Sequence, residues 1–232
     1  MKRSEFEVRW SELHGGAQIQ GATKKWLSIS FSIAKFLAQL KITPNALTIL
    51  TVFLSLPIVL QPTRWWSLIL AIIAFLSDGV DGSLAIITGS ESRWGAMLDS
   101  FADRINEALW LAALYLRLQP FCKSHPVVIG VISSIWLVTT VQEYMRARAQ
   151  GLGFTYITVV TVMERPVRAI LTFIFIGALV PIYAHVVSHS SWQWATSSGN
   201  FFLIFLTIFL TLQVVSISQL TVKYYRLMQV VK

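Results

Sequence analysis

The sequence predicts an all-α, polytopic membrane protein: six transmembrane helices preceded by an interfacial amphipathic helix. Three observations carry that prediction. Only 13% of the 232 residues are charged and 55% are hydrophobic, whereas a soluble domain carries roughly a quarter charged residues. Apolar runs of membrane-spanning length, roughly 20 residues, recur from about residue 44 onward. Laid onto those spans, the 19 Lys and Arg divide sixteen to three, with only Arg64, Arg117 and Lys123 on the minority side. That asymmetry follows the positive-inside rule and puts both termini in the cytoplasm of a cell-membrane protein. The net charge of +8 is therefore assigned to a membrane surface with anionic headgroups, not to nucleic acid.

Taken in order, residues 1–22 are polar and Gly-containing and read as a mobile cytoplasmic arm, with no apolar core or cleavage site of a signal peptide. Residues 23–232 read as one membrane domain. Within it, about 24–41 ("KKWLSISFSIAKFLAQLK") is flanked by lysines and too interrupted to span. Trp26, Ile29, Ile33, Phe36 and Leu37 share a face there, which suits a helix lying in the headgroup layer. "TPNALT" then opens a helix with Pro44 and Asn45. The six spans are expected at about 45–62, 65–80, 95–117, 126–145, 166–187 and 199–222. Pro57 is a kink in the first, and Trp65 and Trp66 anchor the second at the outer interface. "HVVSHSSWQWATSSGN" reads as an external loop with an aromatic belt. Cys122 is the only cysteine, so no internal disulfide forms.

The chemistry is concentrated in "SDGVDGSLAIITGSESRWGAMLDSFADR", residues 77–104. A lone carboxylate in hydrocarbon costs about 2.5–3.5 kcal/mol or more, so four of them need partners. Asp78 and Asp81 lie three apart at the end of one helix, and Asp99 and Asp103 four apart near the start of the next. Each pair shares a face. A short connection brings the pairs together. Oxygen-only ligands suit hard cations such as Mg²⁺ or Mn²⁺ rather than zinc, and four carboxylates suffice to share two ions, an arrangement suited to in-line displacement at phosphorus. Gly79, Gly82 and Gly95 fit either close approach of a ligand to the backbone or helix packing. Pairing of an aspartate with Arg93, Arg104, Arg146 or Arg148 accounts for one or two of the four, not for all.

The segment resembles the signature of the CDP-alcohol phosphatidyltransferase family, D-x2-D-G-x2-A-R-x8-G-x3-D-x3-D. Asp78, Asp81, Gly82, Ala85, Gly95, Asp99 and Asp103 fall in register, and Ile86 stands where the pattern has arginine. The likeness extends from "TPNALT" over nearly all the remaining chain. It implies transfer of a phosphatidyl group from CDP-diacylglycerol to an alcohol with release of CMP. Asp78, Asp81, Asp99 and Asp103 would hold two Mg²⁺ or Mn²⁺ ions, with Asp103 also the general base. Asn45, Ala46, Leu47, Thr48, Gly82 and Ser92 would contact the CDP-lipid donor, and the protein would be a homodimer among membrane lipids. The absent arginine puts donor phosphate binding in question.

"EYMRARAQGLG" and "MERPVRA" flank the cytoplasmic ends of the fourth and fifth spans. Arg146, Arg148, Arg165 and Arg168 there suit a phosphate dianion, which guanidinium forks bind bidentately. Positive-inside anchoring is the plainer alternative. These segments resemble the subgroup whose acceptor is inositol 1-phosphate, and glycerol 3-phosphate is the rival acceptor. Two other classes stay open: a cation transporter, which would hold its carboxylates near the bilayer midplane, and a family member without activity.

Overall fold

The computed structural model describes residues 1–13, 16, 18–121, 125–154, 160–189 and 192–230. Within those ranges, the side chains at 22, 120, 125, 180–189, 192–201 and 230 are not described. Among the described residues there are eight α-helices, a short 3₁₀ turn at Gln119–Phe121, and no strand. Cys122 and Lys123 lie outside the described residues.

The helices are α1 (Arg3–Leu13), α2 (Gly21–Gln39), α3 (Pro44–Leu60), α4 (Trp65–Thr88), α5 (Arg93–Leu118), α6 (His125–Gly151), α7 (Arg165–His189) and α8 (Trp192–Val230). Trp65–Thr88, Pro126–Gly151 and Phe202–Gln229 are each long and apolar enough to cross a membrane. Thr23–Gln39 and Pro44–Leu60 qualify as a pair bent through 107°. That makes three or four candidate crossings among the described residues. Helix α5, expected as a third span, carries Arg93, Asp99, Asp103, Arg104, Glu107 and Arg117, and is too charged to qualify as a crossing by apolarity.

Three local expectations change. Residues 3–13 form a helix with Phe6 fully buried, not a mobile arm, because Phe6 finds an apolar seat. The polar loop expected after residue 80 is only Gly89–Ser92, since α4 continues as helix through Asp78 and Asp81 to Thr88. The external loop expected at 185–200 is helical backbone as far as His189 and again from Trp192. Polarity there signalled a loop, but Ala, Gln and Ser permit helix.

Contacts divide the chain into two compact units, Met1–Pro57 with Ile69–Asn106, and Ile58–Leu68 with Glu107–Lys232. In the first, α2 ends in a Schellman-type turn: Lys41 takes the left-handed φ of 59° and Ile42 N–H reaches back to the Leu37 carbonyl. Thr43 then caps α3, its hydroxyl accepting from Ala46 N–H at 3.3 Å, with Pro44 in the first helical position. Ala34 of α2, Leu47 of α3 and Val80 and Leu84 of α4 make the core, with Trp26, Leu37 and Ile42 against it. Ile69, Ile73 and Leu76 leave an exposed apolar stripe on α4, and Ile29, Ile33 and Phe36 another on α2.

In the second unit α6 and α8 share a buried polar ladder. Gln213 donates to Gln142 (2.9 Å), Gln142 to Thr161 (3.2 Å), and Ser216 to Thr161 (2.7 Å). Hydrogen bonds among these buried amides and hydroxyls offset much of the cost of taking them out of water. Apolar packing continues through Trp110 against Phe173 and Phe175 against Phe202. Arg117, one of the three cations expected on the outer side, is buried and donates to the Pro62 carbonyl.

Candidate metal centre and flanking sites

The turn between α4 and α5 sets up the centre. Gly89, with φ 64°, ends α4: its N–H bonds to the Ile86 carbonyl and Ser90 N–H to the Ala85 carbonyl, the paired bonds of a Schellman motif. Ser92 then caps α5, accepting from Gly95 N–H at 2.9 Å. Asp78 precedes Gly89 by eleven residues and Asp103 follows Ser92 by eleven. At about 1.5 Å rise per residue the two sit roughly level once the chain reverses, with Asp81 and Asp99 nearer the turn.

Carboxylate oxygens of Asp78, Asp99 and Asp103 accordingly converge to within 4.8 Å of one another. Asp78 is buried and the other two half-buried. Like charges this close repel by roughly 3–4 kcal/mol per pair at an effective dielectric near 20, and a divalent cation between them reverses that sign. The donor set is all hard oxygen, which fits Mg²⁺ or Mn²⁺. Asp81, also buried, accepts a short hydrogen bond from the Thr48 hydroxyl.

A support chain runs behind Asp81. Asn106 donates to the Thr51 hydroxyl at 3.0 Å, and Thr51 donates to the Thr48 carbonyl at 2.7 Å. Thr51 and Asn106 were not singled out from sequence. Their only signal there is polarity on apolar helices, with Thr48 and Thr51 at helical spacing.

The residues expected at the donor divide. Asn45 and Ser92 lie together: a Cβ on Gly95 would stand 3.1 Å from the Asn45 side-chain oxygen and 3.0 Å from the Ser92 hydroxyl. Gly82 borders open space and Ala46 is exposed. Leu47 packs in the α2–α4 core, and Thr48 is turned to Asp81. Gly79 serves packing, because a Cβ there would stand 2.7 Å from the Trp26 ring.

In the second unit the four arginines have different surroundings. Arg168, 2% exposed, donates to Glu107 (2.7 Å), Glu143 (3.1 Å) and the Met163 carbonyl (2.7 Å), tying α5, α6 and α7 together. Arg146 donates to Glu164 at 2.6 Å, and the same carboxylate oxygen accepts from Thr161 N–H (2.6 Å) and its hydroxyl (2.8 Å). Burial by itself would push the Glu164 carboxyl up, but the hydrogen bonds from Arg146 and Thr161 outweigh it and hold the group below its ordinary value. Arg165 is half-buried and Arg148 exposed.

Among the described residues, helices of spanning length and an aspartate centre at the junction of two of them define a membrane protein with a cluster able to hold divalent metal. Residues 41–225 match the family described as CDP-alcohol phosphatidyltransferase, and the chain belongs to that family. It is 29% identical to the phosphatidylinositol phosphate synthase of Corynebacterium glutamicum over 171 residues, covering 72% of this chain and 77% of that one. Identity is 35% to the archaetidylinositol phosphate synthase of Pyrococcus horikoshii over 172 residues, 69% of this chain and 83% of that one. Among solved structures it resembles the phosphatidylinositol phosphate synthase of Mycobacterium tuberculosis at 25% identity. The complex of that enzyme with manganese and citrate superposes with a TM-score of 0.61 over 82% of this chain and 86% of that one. Its complex with CDP-DAG gives 0.57 over 82% and 94%.

Proposed function

We propose that the protein transfers a phosphatidyl group from CDP-diacylglycerol to a phosphorylated alcohol, inositol 1-phosphate, releasing CMP. The observation that carries this is the convergence of Asp78, Asp99 and Asp103 to within 4.8 Å at the α4–α5 turn, in a chain of this family. Asp78, Asp81, Asp99 and Asp103 hold two Mg²⁺ or Mn²⁺ ions, which when bound supply neutralisation of the diphosphate charge. Thr48, with Thr51 and Asn106 behind it, orients Asp81 from outside the ligand set. Asn45, Ala46, Gly82 and Ser92 contact the CDP-lipid, and Leu47 supports them from the core. The acceptor hydroxyl gives its proton to Asp103 as its oxygen bonds to the phosphatidyl phosphorus and the bond to CMP breaks.

Arg146, Arg148 and Arg165 bind the acceptor phosphate, while Arg168, held between Glu107 and Glu143, fixes the frame that carries them. Glycerol 3-phosphate offers the same dianion to the same guanidinium groups and is the second acceptor to test. The chain crosses the cell membrane six times with both termini and the site cytoplasmic. Helix α2 lies in the interface, a reading supported by the exposed Ile29, Ile33 and Phe36. The working form is a homodimer among membrane lipids.

The test is CMP release by purified protein with CDP-diacylglycerol and Mg²⁺, supplied with inositol 1-phosphate, glycerol 3-phosphate or no acceptor. Release dependent on inositol 1-phosphate is expected. Asp103→Asn should lower turnover by about 10²–10⁴ with the helical circular dichroism unchanged. No release with any acceptor would overturn the reading in favour of a member without this activity.

A further inference from the structure

Ile86 is the position at which this chain departs from the family signature, and the fold shows what sits on it. Its side chain is 5% exposed, packed with Phe6 of α1 and Leu27 of α2, and flanked by Trp10, Ile19, Phe31 and Ile87. Phe6 has no exposed surface, and its ring lies 5.2 Å from that of Phe31. An arginine at 86 would bring a guanidinium into this apolar cluster, where burial without partners is costly.

The same helix makes a second attachment. Arg9, three residues along α1, donates through Nε (3.4 Å) and Nη2 (2.9 Å) to the two carboxylate oxygens of Glu91. Glu91 stands in the α4–α5 turn, directly before the Ser92 that caps α5. Helix α1 therefore fastens at two points, on the last turn of α4 at Ile86 and within the connection at Glu91. With eleven residues it is shorter than the roughly 12–15 needed for marginal helicity alone, so its helical state depends on this docking.

We propose that α1 is a positioning element of the donor site. Phe6 on Ile86 and Arg9 on Glu91 hold the α4–α5 turn in the arrangement that presents Gly82 and Ser92 to the CDP-lipid. The chain has thus exchanged the signature arginine for an apolar seat that recruits its own N-terminal helix. This rests on the donor reading given above.

The full-length protein in detergent tests it through Phe6→Ala, Arg9→Glu, Glu91→Arg and the double exchange. Three quantities are measured: hydrogen exchange at residues 3–13, equilibrium binding of CDP-diacylglycerol at saturating Mg²⁺, and Tm. Phe6→Ala should deprotect residues 3–13 and weaken donor binding about tenfold, in proportion to the loss of the docked state. Each single charge reversal should weaken it about threefold, within the range of an exposed ion pair, and the double exchange should restore it. Deprotected residues 3–13 with wild-type donor binding, or a lowered Tm alone, would overturn the proposal and leave α1 a merely structural helix. Failure of the double exchange to restore binding would overturn it as well. A wild-type protein that binds no CDP-diacylglycerol would instead overturn the donor reading, and the proposal with it.

Discussion

At the scale of single residues, Thr48 is the informative case. Its place in "TPNALT" suggested a donor contact, whereas its hydroxyl is given to Asp81. Thr48→Val keeps the shape of the side chain and removes that donor. Such outer contacts are worth about 10–100-fold in metal affinity, so Mn²⁺ titration should show a weakening in that range with the fold retained. Gly79 is the second case. A methyl group there meets the Trp26 ring at 2.7 Å, and a rigid indole cannot yield as a flexible chain would. Gly79→Ala should cost about 1–3 kcal/mol of stability, read as a lowered Tm in detergent. An unchanged Tm would mean that α2 shifts freely on α4.

At the scale of elements, the segment that joins α6 to α7 depends on one carboxylate. Glu164 accepts from Arg146 and twice from Thr161, and its carboxyl is held below the ordinary value. A carboxyl depressed in the folded state stabilises fully above its unfolded value of about 4.3, and that contribution is lost as pH falls through the folded value. Tm should therefore drop on acidification from pH 6 toward pH 3.5. The drop should be smaller in Glu164→Gln, which starts less stable because Arg146 loses its ionic partner. Equal slopes for the two proteins would remove Glu164 as the cause. The polar run at 185–200 carries the opposite lesson. Its composition resembled a loop, yet the backbone is helical up to His189 and from Trp192, because Ser, Gln and His tolerate helix when the helix on either side is long.

At the scale of the molecule, buried charge fastens helices that are distant in sequence. Arg168 takes Glu107 from 61 residues away and Glu143 from 25. Breaking a buried pair leaves the other charge uncompensated, at about 3–5 kcal/mol. Arg168→Leu should lower Tm sharply and abolish turnover through misfolding, whereas Arg148→Leu, at an exposed position, should leave Tm unchanged and raise the KM for the acceptor. If both variants kept wild-type Tm, the frame role of Arg168 would be wrong.

The sequence alone determined the helical class, the membrane setting and the four aspartates. Apolar run length, charge placement and spacing of three and four are one-dimensional patterns, and the physics that reads them is local. It also required a short connection between the two aspartate pairs, but the place of the turn, at Gly89 and Ser92, came from the structure. What only the tertiary structure decided is which polar groups meet across helices. The Thr48 hydroxyl was given to the Asp81 carboxylate, Arg168 was drawn inside between two glutamates, and Leu47 was claimed by the core. Ile86 became intelligible only with Phe6 placed on it. Those partners lie tens of residues apart, and burial, which sets the cost of leaving a charge or hydroxyl unmet, is a property of the packed molecule and not of any segment.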